Sequence, residues 1–199
     1  MIKSVVLVGL VALLAATPAR AQSKQTMQDD AIERARGDAE VATRQLTNLD
    51  ALVRQRAAEE LARLKATDKR RLVEGYRLQE KNERVRLALD WALYRLGKSE
   101  ALYAVVRALS SNRYNQAQAY LAELETPEPL YLFLDRSEGT TLARLIESLA
   151  RAGDAGTLER IKPYADSTDP KVASAARFAA REIARRLDTS SSQTKAPPR

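Results

Sequence analysis

Paired carboxylates are the residues in this chain with the most obvious chemical potential. Two sets stand close in sequence, Glu59-Glu60 and Glu123 with Glu125. Two carboxyl groups whose environments split their pKa values can serve as general acid and general base. Both sets, however, fall at spacings that any charged helix surface shows, and neither is joined by a partner residue of another type. A second candidate is "RAGDAG", Arg151 to Gly156, whose glycines suggest a phosphate-cradling loop. It lacks the spacing of a P-loop or a dinucleotide fingerprint, and a connection between two helices accounts for its glycines. The chain has no cysteine and no histidine. Cys/His zinc sites, cysteine nucleophiles, Ser-His-Asp triads and histidine bases are therefore excluded. The sequence reads as non-catalytic, with no cofactor and no metal site.

Residues suited to recognition are more prominent. Leu87, Trp91 and Tyr94 fall together on one face of a helix whose opposite face, Val85, Ala88, Leu89, Ala92 and Leu96, is also apolar. A helix apolar on two faces is either sandwiched between neighbours, the commoner arrangement, or shows one face to a ligand. On the second account these three residues are partner-binding candidates, since Trp and Tyr are enriched at interface hot spots. "EPLYLFLDR", Glu128 to Arg136, is apolar without alternation and reads as a short inner helix of the core. Basic residues form the third group. Arg84, Arg113, Lys171 and Arg177 are the candidates for contacting a partner or an anion, against the default of solvated surface charge.

The elements that must position these residues recur. Asp50, Asn82, Ser111, Gly139 and Asp169 each suit a helix N-cap. Three places on, Val53, Val85, Tyr114, Leu142 and Val172 each open an apolar series at i, i+3, i+4 and i+7. The caps are separated by 32, 29, 28 and 30 residues, a period that signals stacked supersecondary units. Between them lie second helical patterns: Asp68 to Gln79, Ser99 to Leu109, Pro129 to Asp135 and Gly156 to Tyr164. Ala39 to Leu46, capped by Asp38, supplies the first helix of the first unit. Gly97 and Gly153 follow helices as stops.

"DPKVASAARFAAREIARRL", "NERVRLALDWALYRLG" and "DALVRQRAAEELARL" resemble the second helix of HEAT-like repeats, in particular the short bacterial kind found also in phycobilisome lyases. The resemblance implies an all-α fold, a right-handed α-α solenoid of about five helical hairpins. It further implies that Arg54 and Arg86 each bond an acidic residue of the next unit, which makes them structural. In the third and fourth units Tyr114-Asn115 and Leu142-Ala143 stand where the pattern has Val-Arg. The resemblance specifies a scaffold and no activity.

The ends carry an expectation of location. "MIKSVVLVGLVALLAATPARA" has a basic start at Lys3, an apolar run from Val5 to Ala16, and Ala19 and Ala21 at the positions a signal peptidase accepts. The run is about a dozen residues, short of the roughly 20 that span a bilayer. Residues 1–21 are thus expected to be a signal peptide cleaved after Ala21, leaving no transmembrane anchor. Residues 22–29 read as a flexible N-terminus, 30–187 as the repeat domain, and 188–199, Ser- and Pro-rich, as a disordered tail. Loss of Lys3 and Arg20 with the leader takes the formal charge from +7 to +5. The expectation is a periplasmic or secreted protein-binding scaffold whose partner is another envelope or secreted protein. The alternative is a binder of anionic glycan or lipid headgroups through a basic concave row. Export argues against nucleic acid.

Overall fold

The structure, a computed structural model, describes residues 19–194. Among these the chain is all-helical, without a strand. The leader expected over residues 1–21 lies outside the described residues except for its last three positions. Two compact units divide the chain between Asp38 and Ala39.

The first unit contains the N-terminal part of α1 (Ala19–Gln45), whose side chains from Met27 to Asp38 are nearly all exposed. Helical residues include 22–29, which composition reads as flexible, and Asp38, which the sequence suggests as a helix cap. The physical reason is that residues 22–45 contain no proline and a single glycine. A polar segment without breakers keeps helical propensity even where no apolar stripe announces it. Arg36 and Glu33, at i and i+3, add a surface ion pair at 3.5 Å.

The second unit holds the core. Its helices are α2 (Ala51–Leu64), α3 (Arg70–Gln79), α4 (Glu83–Arg95), α5 (Leu102–Arg107), α6 (Tyr114–Leu121), α7 (Glu128–Leu134), α8 (Gly139–Ala152), α9 (Ala155–Ile161) and α10 (Pro170–Thr194). Short 3₁₀ turns precede α3 and α5, follow α5 at Ala108–Ser110, and follow α9 at Lys162–Asp166. Pairs adjacent in sequence pack together: α3 on α4, α5 on α6, α7 on α8 and α9 on α10. Across these pairs α4 lies against α2, and α8 lies between α10 on one side and α5 with the 108–110 turn on the other. No described helix is long and apolar enough to cross a membrane.

Three of the five expected caps form as read. Asp50 accepts from the Leu52 amide at 2.8 Å, Asn82 from Arg84 and Val85 at 3.0 and 3.3 Å, and Asp169 from Lys171 at 2.8 Å. Ser111 instead closes a turn, its Oγ accepting from Arg113 at 3.0 Å, and α6 begins only at Tyr114. Gly139 is the first residue of α8 at φ +51°, with extended Glu138 before it. The two glycine stops differ in cause. Gly97 takes φ +93°, the left-handed conformation that glycine adopts without penalty. Gly153 has an ordinary φ, but a Cβ there would lie 2.6 Å from the Ile183 Cδ1 and 2.6 Å from the Leu149 carbonyl. At the other end α10 continues to Thr194 into the stretch expected to be a tail. Arg186 anchors it by donating to the Arg151 carbonyl and, at 2.6 Å, to that of Gly153.

Candidate partner-binding groove

Helix α4 decides the fate of the most conspicuous sequence candidates. Trp91 is 1% exposed and Leu87 is buried as well, so neither is presented to a partner. This corrects their assignment as recognition residues: α4 is sandwiched, and both of its apolar faces are covered. Tyr120 of α6 stacks on Trp91 with ring centroids 5.5 Å apart and planes 2° from parallel, and Tyr94 stacks at 5.5 Å on the same indole. The Arg95 guanidinium lies 5.5 Å from the ring centroid. Above this stack the Tyr120 hydroxyl donates to Glu59 of α2 at 2.6 Å and accepts from Gln116 at 2.7 Å. Burial, reinforced by Glu59, pushes the Tyr120 phenol up. Glu59 is thereby spent on holding α2 and α6 over α4. Tyr94 is half-buried and lines a cleft of about 380 Å³ with Lys65, Arg95 and Glu125. Its charged groups already pair, Lys65 with Glu125 at 2.8 Å.

The basic candidates separate similarly. Arg54 does what the resemblance implies: its Nε and Nη2 donate to the Glu80 carboxylate at 2.7 and 3.0 Å, and its Nη1 donates to two carbonyls of the preceding loop. The Arg54 hydrogen bond holds the Glu80 carboxyl below its ordinary range. Arg86 makes no such bond among the described residues. Arg177 donates to the Ala165 carbonyl at 2.6 Å and helps seat α10 on the 162–166 turn. Arg84 is exposed, and its backbone carbonyl accepts from Gln116 at 2.9 Å. Arg113 lies in a different cleft, and Lys171 alone of the group lines the large groove.

That groove, of about 1080 Å³, runs between α8 and α10, with Tyr114 and Gln118 of α6 at its edge. From α8 it takes Thr140, Ala143, Arg144, Glu147 and Arg151, and from α10 Lys171, Ser174, Ala175, Phe178, Arg181 and Glu182. Each set follows the three- and four-residue spacing of one helical stripe, so two stripes face each other. Ala143, Ala150 and Ala175, all buried, make a shallow floor. Arg144 is fixed: it stacks over Tyr114 at 3.9 Å and donates to the Leu109 carbonyl at 2.5 Å. Glu182 pairs with Arg185 at 2.9 Å. Lys171, Arg151 and Arg181 make no ion pair among the described residues, which leaves the groove walls with unspent positive charge. Phe178 is 45% exposed within this polar surround.

Sequence reasoning missed Phe178. At about 100° per residue it lies roughly 120° off the Val172, Ala176, Ala179 and Ile183 stripe, and that misplacement was the available signal. The Leu130 to Leu134 segment reads as core in the sequence, and Leu130 and Leu134 are buried, but Leu132 points out at 68% exposure. Tyr131 is used structurally, its hydroxyl 2.6 Å from the Thr157 hydroxyl in the capping box that opens α9.

No family model matches the chain, and no curated protein matches it. Among solved structures, an engineered protein whose crystal structure came from the Northeast Structural Genomics Consortium aligns at 21% identity. The alignment covers 74% of this chain and 79% of that one, with a TM-score of 0.33, a likeness too loose to carry an argument.

Proposed function

We propose that this chain is an exported, non-catalytic protein-binding scaffold, a right-handed solenoid of about five HEAT-like hairpins. In this reading it is released after Ala21 into the periplasm or the medium. Its α6/α8/α10 groove takes a segment of another envelope or secreted protein. The observation that carries the reading is exposed Phe178 on the α10 stripe, across the groove from the α8 stripe. An alanine floor lets a partner's backbone or helix come close, an aromatic wall supplies an apolar anchor, and unpaired Lys171, Arg151 and Arg181 supply charge for acidic side chains. Absence of cysteine and histidine from the sequence favours binding over catalysis.

The test is affinity purification of the tagged full chain and of its Phe178→Glu variant from the cells that make it, washed at low and at high salt. One protein retained by the wild type through the high-salt wash and lost with F178E supports the groove. Retention of glycan or lipid alone, released by salt, favours electrostatic envelope binding instead. Identical protein profiles for both chains contradict the groove.

A further inference from the structure

Four arginines from four parts of the sequence converge away from the groove. Arg77 comes from α3, Arg86 from α4, Arg107 from α5, and Arg113 from the position just before α6. They line one cleft of about 210 Å³ together with Glu83 and Asp90, and this cleft shares no residue with the groove. Asp90 is buried and takes the Arg77 Nε at 2.6 Å. Among the described residues the side chains of Arg86, Arg107 and Arg113 make no hydrogen bond or ion pair. The Nε of Arg113 is sealed from solvent and still lacks an acceptor.

Exposed Arg86 and Arg107 and half-buried Arg113 line this one cleft with Arg77, and of the four only Arg77 is bonded to a carboxylate. Two carboxylates against four guanidiniums leave a surplus of two positive charges. We propose that this cleft binds a phosphate monoester. At neutral pH such a group carries close to two negative charges and three strong acceptor oxygens, which matches both the surplus and the convergence of donor forks. The cleft has room for the phosphate and a small organic part. A soluble phosphorylated metabolite and the headgroup of a phosphomonoester lipid share this chemistry. The site is independent of the groove: either can fail without the other.

The experiment titrates the full chain with glycerol 3-phosphate at constant ionic strength while following the arginine Nε–Hε resonances, and sediments it with vesicles containing phosphatidic acid. Arg107→Gln and Arg113→Gln remove donors that hold no other element in place, and circular dichroism checks that each variant keeps its helices. Arg84→Gln, exposed and outside the cleft, is the control. The expected result is saturable binding that weakens about tenfold in each of R107Q and R113Q, the size of one charge-assisted hydrogen bond. R84Q should change it less than about twofold. A response to glycerol 3-phosphate assigns a soluble ligand. A response to the vesicles alone, with the same dependence on Arg107 and Arg113, assigns the lipid headgroup. Binding that does not saturate, that survives both cleft variants, or that R84Q weakens equally overturns the site. So does a shift of these resonances by an acidic peptide when neither phosphate probe moves them.

Discussion

Replacing Trp91 with alanine separates a core residue from a recognition residue more cleanly than any other single change. The indole is 1% exposed, stacked between two tyrosines and covered by Arg95. A buried aromatic removes about 150–250 Å² from water, which at about 25 cal/mol per Å² is roughly 4–6 kcal/mol. Bookkeeping of this kind is an upper bound, and large-to-small core substitutions of aromatics cost about 3–5 kcal/mol. Loss of the Tyr120 stack adds to the cavity left behind, so W91A should destabilise by about 4 kcal/mol. That is a large part of the roughly 5–15 kcal/mol by which domains are stable. The assay is urea unfolding followed by far-UV circular dichroism, since the substitution removes the chain's one tryptophan. Trp91→Phe, which keeps a ring in the stack, should lose much less. A W91A variant within about 1 kcal/mol of wild type, in the range of surface substitutions, would refute the sandwiched α4 and restore Trp91 to the surface.

The Arg54–Glu80 pair predicts an acid limb. Its side chains are 19% and 9% exposed, between the surface pairs worth under about 1 kcal/mol and the buried ones whose breakage costs about 3–5, so Glu80→Gln should cost about 2 kcal/mol at neutral pH. Because the folded-state pKa of Glu80 is lowered, its contribution is present above the unfolded value of about 4.3 and is lost as pH falls through the folded value. The gap between E80Q and wild type in urea titrations should therefore close in acid; a constant gap contradicts the linkage. Two Gly→Ala substitutions should act in opposite directions in the same assay. Gly75, inside α3 with nothing within 4 Å of an added Cβ, should gain about 0.5–1 kcal/mol. Gly153, where the Cβ would meet the Leu149 carbonyl at 2.6 Å, should lose about 1–3.

The parts of this fold that were legible in the sequence are those set within a few residues. Asp50, Asn82 and Asp169 cap because a short oxygen reaches an amide two or three places on, and that relation is local. The apolar series after Val53, Val85 and Val172 fixed which helix faces turn inward. Of the two arginines that the resemblance implies bond an acidic residue, Arg54 does so, to Glu80, and Arg86 makes no such bond among the described residues. Whether a second apolar face is covered depends on neighbours far along the chain. Trp91 could be assigned to the core only once Tyr120 was seen stacked on it. The helix through residues 22–29 left no apolar period to read. The groove depends on α8 and α10 presenting parallel stripes. The arginine cleft gathers positions 77, 86, 107 and 113 from four elements, a meeting that no local spacing records. Arg113 stands out in the sequence by its charge, whereas nothing local marks Arg77, Arg86 and Arg107 as its cleft partners.

The central claim is that the groove between α8 and α10 is where a partner sits. A photo-crosslinking amino acid placed at position 178 or 171 of the full chain, and as controls at exposed Tyr103 and Leu132, tests it directly. The account predicts one discrete protein adduct from positions 178 and 171, absent from the two control positions and suppressed by Ala143→Arg, which fills the floor. Equal adducts from all four positions, or an adduct from the controls alone, would contradict it.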